Sequence, residues 1–122
     1  MTAPAFVFFP DPDERAWIVS TLTPVVGSVV ALHDPSVALD MLKSQSRGCL
    51  VASTEPDPGI VLELVRALRS RGSQLPAIIL GPHTAFRTAV EIARLDATVF
   101  LERPLTALQL RGAVQKACAS GS

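Results

Sequence analysis

Cysteine is scarce in this chain: Cys49 and Cys118 are the only two among 122 residues. They stand far apart in sequence and outside any metal-type spacing. Cys49 falls in a strand-like run and Cys118 near the chain's frayed end, so both are expected to be reduced, structural thiols in a cytoplasmic setting. A surplus of either charge is also missing, with Lys+Arg 11 against Asp+Glu 11. Without a basic excess there is nothing to grip a nucleic-acid backbone, and autonomous DNA or RNA binding is not expected. No apolar run approaches the ~20 residues of a membrane span. The start, MTAPAF, lacks the basic residues and long apolar core of a signal peptide. Repeats, low-complexity tracts and internal linkers are absent as well. Residues 1–122 therefore read as one domain with its core in 4–118.

What the chain does have is apolar residues, 48% of the total against 18% charged, enough for one well-filled core. They fall into short runs that alternate with longer amphipathic segments. The short runs are AFVFF (5–9), SVVALH (28–33), GCLVAS (48–53), PAIIL (76–80) and TVFL (98–101), with the β-branched and aromatic content of buried parallel strands. Between them, Ile60, Val61, Leu64, Val65 and Leu68 form one helical stripe, and Val37, Ala38, Met41 and Leu42 another. Asp11-Pro12 and Asp34-Pro35 each place a capping carboxylate before a proline at the first helical position. Thr84 is a candidate cap for the fourth helix, and Gly72 a stop for the third. The last helix follows Pro104, with Leu105, Leu108 and Val114 inward. Trp17 on the first helix is expected at or near the core. Five strand–helix units in this order predict a (βα)5 doubly wound parallel sheet with helices on both faces.

In such a sheet chemistry gathers where strands end. Here they end at Pro10-Asp11, Ser53 and Gly81. Ser53 could act as a nucleophile with His33 or His83 as base, but no nucleophile-elbow glycine pattern surrounds it and no orienting acid is evident. A polar residue closing a strand is the plainer reading. Asp11, Asp13, Glu55 and Asp57 could approach one another as a divalent-ion site. Against that, Asp11 reads as a helix cap, and Asp57 sits in a proline-bounded turn, Glu55-Pro56-Asp57-Pro58-Gly59. No metal and no cofactor are expected. Arg87, Glu91, Arg94, Asp96, Glu102 and Arg111 alternate in sign along the last third of the chain.

Two stretches, LPAIILGPHTAFRTAVEIARLDATVFLERPL and CLVASTEPDPGIVLELVRALR, resemble the receiver domain of bacterial two-component response regulators, and the likeness extends over nearly the whole chain. It implies a flavodoxin-like receiver fold with strand order 2-1-3-4-5. A working receiver needs an acceptor aspartate after strand 3 and an acidic pair after strand 1 for Mg²⁺. It also needs a Thr or Ser after strand 4 and a Lys before the Pro that follows strand 5. At those positions this chain has Ser53, Pro10-Asp11, Gly81 and Arg103. Pro104 follows the basic residue, where the family usually has a cis bond. Phe100 holds the aromatic position that moves with activation.

The resemblance thus implies a degenerate, non-enzymatic pseudo-receiver that acts by contact and independently of phosphorylation. Arg103, lacking a phosphoryl group, is expected to pair with Asp11. The face formed by helix 4, strand 5 and helix 5, carrying Arg87, Glu91, Arg94, Asp96 and Arg111, is expected to meet a protein partner: a histidine kinase, another regulator, the chain's own output domain, or a second copy in a homodimer. Val90 or Leu108 would add apolar area there if exposed. Two competing expectations remain open: an atypical receiver that still accepts a phosphoryl group, and a small-molecule sensor using the vacated strand-end pocket.

Overall fold

The computed structural model describes residues 3–55 and 57–120, with side chains through Cys118. Its elements run β1 (Pro4–Phe8), α1 (Pro12–Leu22), β2 (Ser28–Leu32), α2 (Pro35–Leu42), β3 (Cys49–Ser53), α3 (Pro58–Ser70), β4 (Ala77–Pro82), α4 (Phe86–Ala93), β5 (Thr98–Arg103) and α5 (Ala107–Ser120). The five strands pair in parallel in the order β2-β1-β3-β4-β5. This is the doubly wound sheet expected from the alternation of short and long apolar segments, in the flavodoxin-like order that the receiver resemblance implies.

Burial follows position in the sheet. Every residue of the central strand β3 is buried, whereas the edge strand β5 has only half-buried and exposed residues. One apolar layer joins Phe6, Phe8, Leu50 and Ile79 to Ala38 and Leu42 of α2, Val61 to Leu68 of α3, and Ile92 of α4. The other joins Val7, Phe9, Val51 and Leu80 to Ile18 and Leu22 of α1 and to Leu110 and Val114 of α5. Each fully buried Leu, Ile or Phe contributes about 1.5–3 kcal/mol relative to exposure.

Helix ends follow the capping chemistry with one exception. Asp11, Asp34 and Asp57 accept from the amides of Glu14, Ser36 and Gly59 at 2.8–2.9 Å, each followed by proline. α3 stops at Gly72, φ 84°, with the Ser73 amide on the Leu68 carbonyl at 3.0 Å. α4 departs from expectation: Thr84 does not cap it, and the helix starts from Ala85 without a side-chain hydrogen bond. Its far end is held instead by Arg69 of α3, whose guanidinium reaches the carbonyls of Asp96 (2.7 Å) and Ala97 (3.3 Å) and the Thr98 hydroxyl (3.3 Å).

Four side chains expected inside lie outside. Trp17 is 43% exposed and Leu108 78%. In both helices the neighbouring positions Ile18 and Leu110 take the inward face instead. On α2, Ala38 and Leu42 are buried while Val37 and Met41 face outward, so the stripe is narrower than its apolar composition.

Gly48, φ 98°, precedes β3 where the chain passes beneath the Pro4 carbonyl, and a Cβ there would collide with that oxygen. Neither the dihedral nor the space admits a side chain. Gly48→Ala is expected to lower unfolding free energy by roughly 2–4 kcal/mol, measured by urea titration with an unchanged slope.

Candidate functional site

The carboxyl ends of β1, β3, β4 and β5 meet around Ser53. Ser53 closes the central strand and is only 3% exposed. Its hydroxyl oxygen accepts from the Glu55 amide at 3.0 Å and from Arg103 Nη2 at 3.0 Å. Arg103 arrives from the end of β5, and its Nε donates to Glu14 Oε2 at 2.8 Å, with Nη2 at 2.6 Å from the same oxygen. Both partners are about one-quarter exposed, 25% for Arg103 and 29% for Glu14. Partial burial makes this pair stronger than a surface ion pair, though water still screens it. Beneath it, Arg15 Nη1 donates to the Phe9 carbonyl at 2.7 Å, fixing the end of β1.

Asp11 is therefore not the partner of Arg103. Its carboxylate is engaged by the amide of Glu14 at the start of α1, as an N-cap requires. Glu14, one turn further along, faces the β5 loop and takes the guanidinium. The sequence held a sign of this. Asp-x-x-Glu at a helix start is the spacing of a capping box, which marks Glu14 as a carboxylate near the strand ends, although here it turns to Arg103.

The β4 end is closed by packing. β4 and β5 pair beyond the expected limits, with Gly81 opposite Glu102 and Pro82 opposite Arg103. A Cβ on Gly81 would stand 2.7 Å from Thr54 Oγ1 and 2.8 Å from Phe100 Cε1. Phe100 is half-buried and packs with the α2–α3 layer, its ring filling the space beside Gly81. Thr54, 2% exposed, is a hydroxyl at this site that the sequence reading did not single out. The Arg103–Pro104 peptide bond is cis.

These residues do not fit Mg²⁺. Pro10 and Ser53 offer no carboxylate, Asp11 is committed to its helix, and the nearby Glu14 carboxylate is paired with Arg103. Among the described residues no three His, Cys, Asp or Glu side chains stand close enough to hold a metal. Pro56, within the expected proline-bounded turn, lies outside the described residues; Asp57 beside it caps α3. Neither His33 nor His83 bonds to Ser53, so a serine nucleophile has no base there. Beside Arg103, a hollow of about 290 Å³ is lined by Glu14, Trp17, Ile18, Leu80, Pro104 and Leu105.

The mixed-charge residues divide between two sides of the domain. Arg87, Glu91 and Arg94 are exposed on and just after α4, near the exposed apolar side chains Phe86 and Val90. Glu91 pairs with Arg66 of α3 at 3.4 Å, and Asp96 is exposed in the turn before β5. Arg111 turns toward α1, where its Nε donates to the Thr21 carbonyl at 2.8 Å. It therefore fastens α5 to α1 and is half-buried. No described helix is long and apolar enough to cross a membrane.

No protein-family profile matches the chain. Among curated proteins it is 36% identical over 89 residues to the transcriptional regulatory protein FixJ of Azorhizobium caulinodans, covering 72% of this chain and 39% of that one. It is 28% identical over 100 residues to the response regulator TodT of Pseudomonas putida, covering 81% and 44%. The chain thus spans less than half the length of these relatives. Among solved structures, full-length FixJ from B. japonicum superposes with a TM-score of 0.86 at 26% identity, over 98% of this chain and 59% of that one. A receiver protein from Sinorhizobium medicae gives 0.80 at 21%, over 99% and 98%.

The contact of Phe100 with Gly81 is directly testable. Gly81→Thr is expected to destabilise the domain by about 1–3 kcal/mol through overpacking. Phe100→Ala should then cost less in the Gly81→Thr background than in the parent, a non-additivity read by a double-mutant cycle.

Proposed function

The chain is a response-regulator receiver domain of the two-component type, and we propose that it signals by protein contact, independently of phosphorylation and without enzymatic activity. The observation that carries this is the Arg103 guanidinium held between Ser53 Oγ and the Glu14 carboxylate. Phosphoryl acceptance needs an anionic or base-activated nucleophile. Ser53 is neutral, buried, and already accepts from two donors. The cation that would steady phosphoryl oxygens is paired with an internal carboxylate, and the Gly81 position has no room for a hydroxyl-bearing side chain. On this reading Pro10, Asp11, Ser53, Gly81 and Arg103 form a degenerate phosphorylation site.

Contact then falls to the surface. α4 offers Phe86 and Val90 with Arg87 and Arg94 beside them, and neither arginine is drawn into an ion pair among the described residues. An apolar centre with a charged rim is the composition of a recognition patch. The proposed occupant is a protein: a histidine kinase, another regulator, an output domain or a second copy of this chain. Arg111, turned toward α1, contributes to the patch only by holding α5 in place.

Incubation with acetyl phosphate and Mg²⁺ is expected to leave the intact mass unchanged. A stoichiometric phosphoryl adduct would return the chain to the phosphate-accepting class. Ser53→Asp alone should also stay unmodified, because Pro10 and Gly81 remain and Arg103 gains a second internal carboxylate. Charge reversal Arg94→Glu is expected to weaken self-association or partner binding about 3–10-fold at low salt, with less effect at high salt. The melting temperature should not change. Sedimentation at two salt concentrations checks it, and an unaffected association would move the contact off α4.

A further inference from the structure

The two cysteines, far apart in sequence, are brought together by the fold. Cys118 Sγ lies 3.6 Å from Cys49 Sγ, and both thiols are free. We propose that Cys49 and Cys118 are a redox modification site: a hydroperoxide converts them to an intramolecular disulfide that fastens the last turns of α5 to the start of β3.

The geometry is asymmetric in the way such a pair requires. Cys49 is fully buried at the start of the central strand, paired opposite Ala5 of β1 and preceded by Gly48 under the Pro4 carbonyl. It cannot move. Cys118 is half-buried near the end of α5, where helices fray and a side-chain rotation is cheap. A disulfide needs its sulfurs at about 2.05 Å, so closing the gap asks for a small movement of the mobile partner only. Either sulfur can donate in the thiol pair. The hydrogen bond to Cys118, reinforced by burial, keeps the proton on Cys49, whose pKa is raised, and its S–H in turn stabilises the Cys118 thiolate, whose pKa is lowered to about 7 against its own partial burial. The reachable sulfur is therefore the nucleophile and the buried one the resolving thiol.

The chemistry balances in two steps. Cys118 thiolate attacks one peroxide oxygen; an S–O bond forms, the O–O bond breaks, and the leaving hydroxide takes a proton to become water. Cys118 is then a sulfenic acid. Cys49 gives up its proton and attacks the Cys118 sulfur; the S–S bond forms and the S–O bond breaks, releasing a second water. Both thiols are oxidised by one electron each and one peroxide is reduced. The site lies at the opposite end of β3 from Ser53, so it stands or falls independently of how that residue is read.

The test uses the full chain, first reduced, then treated with hydrogen peroxide under native conditions. Expected is a mass loss of about 2 Da, reversed by a thiol reductant, with a peptide map joining the Cys49 and Cys118 peptides. The oxidised domain should melt roughly 5–10 °C higher. Cys118→Ser should abolish the cross-link and leave Cys49 unmodified in its buried position. Cys49→Ala should leave a Cys118 sulfenic acid that dimedone traps. If Cys49→Ala unfolds, Cys118→Ser at the half-buried helix end still decides. The proposal is overturned by Cys118 oxidising without cross-linking in the parent chain, by a cross-link formed only after denaturation or only between chains, or by an oxidised form that melts lower.

Discussion

The end of this sheet is organised by a guanidinium that has two internal acceptors. Arg103 projects from the edge strand β5 and meets the buried hydroxyl of the central strand β3 and the first turn of α1. Three elements distant in sequence are thereby tied at one point. Hydrogen bonds to charged groups contribute about 1.5–3 kcal/mol each when protected from solvent; exposure of both partners reduces that here. More consequential than the magnitude is the local neutrality. The cation has its counter-charge inside the fold, so the strand ends present neither an open carboxylate cage nor an unsatisfied positive site. Asp11, the acidic residue that follows β1, is engaged by its capping role.

Steric closure reinforces electrostatic closure. Gly81 allows β4 to continue beside β5 as far as Pro82, and the ring of Phe100 fills the space that a side chain at Gly81 would need. The aromatic is part of the α2–α3 apolar layer, so displacing it would open a gap in the core rather than merely rotate a surface ring. The two closures are independent, one polar on the α1 side of the sheet and one apolar on the α3 side.

Much of the architecture was legible because the relevant signals are local. Strand-like apolar runs marked all five strands, helical stripes marked α2 and α3, and the Asp-Pro pairs marked two helix starts. Local signals failed where tertiary packing chose between positions one or two residues apart. Trp17 and Leu108 are large and apolar, yet their neighbours Ile18 and Leu110 face the sheet, and composition cannot tell which member of such a pair is inward. The strand-end residues Ser53, Gly81 and Arg103 were identifiable by position, but the partner of Arg103 was not. Choosing Glu14 over Asp11 depends on which carboxylate the helix amides claim first. The proximity of Cys49 and Cys118 depends on β3 being central and α5 lying across it, which no spacing in the sequence records.

The uneven fastening of α4 has a mechanical consequence. At its C-terminal end the turn into β5 is gripped by Arg69 through two carbonyls and a hydroxyl; at its N-terminal end Ala85 provides no side-chain clasp. A rod pinned at one end and loose at the other has its largest excursions at the loose end. Phe86, the most exposed aromatic of the chain's large apolar side chains, is mounted there. The apolar tip of the helix therefore sits at the end that no side chain clasps, away from the anchor at Arg69.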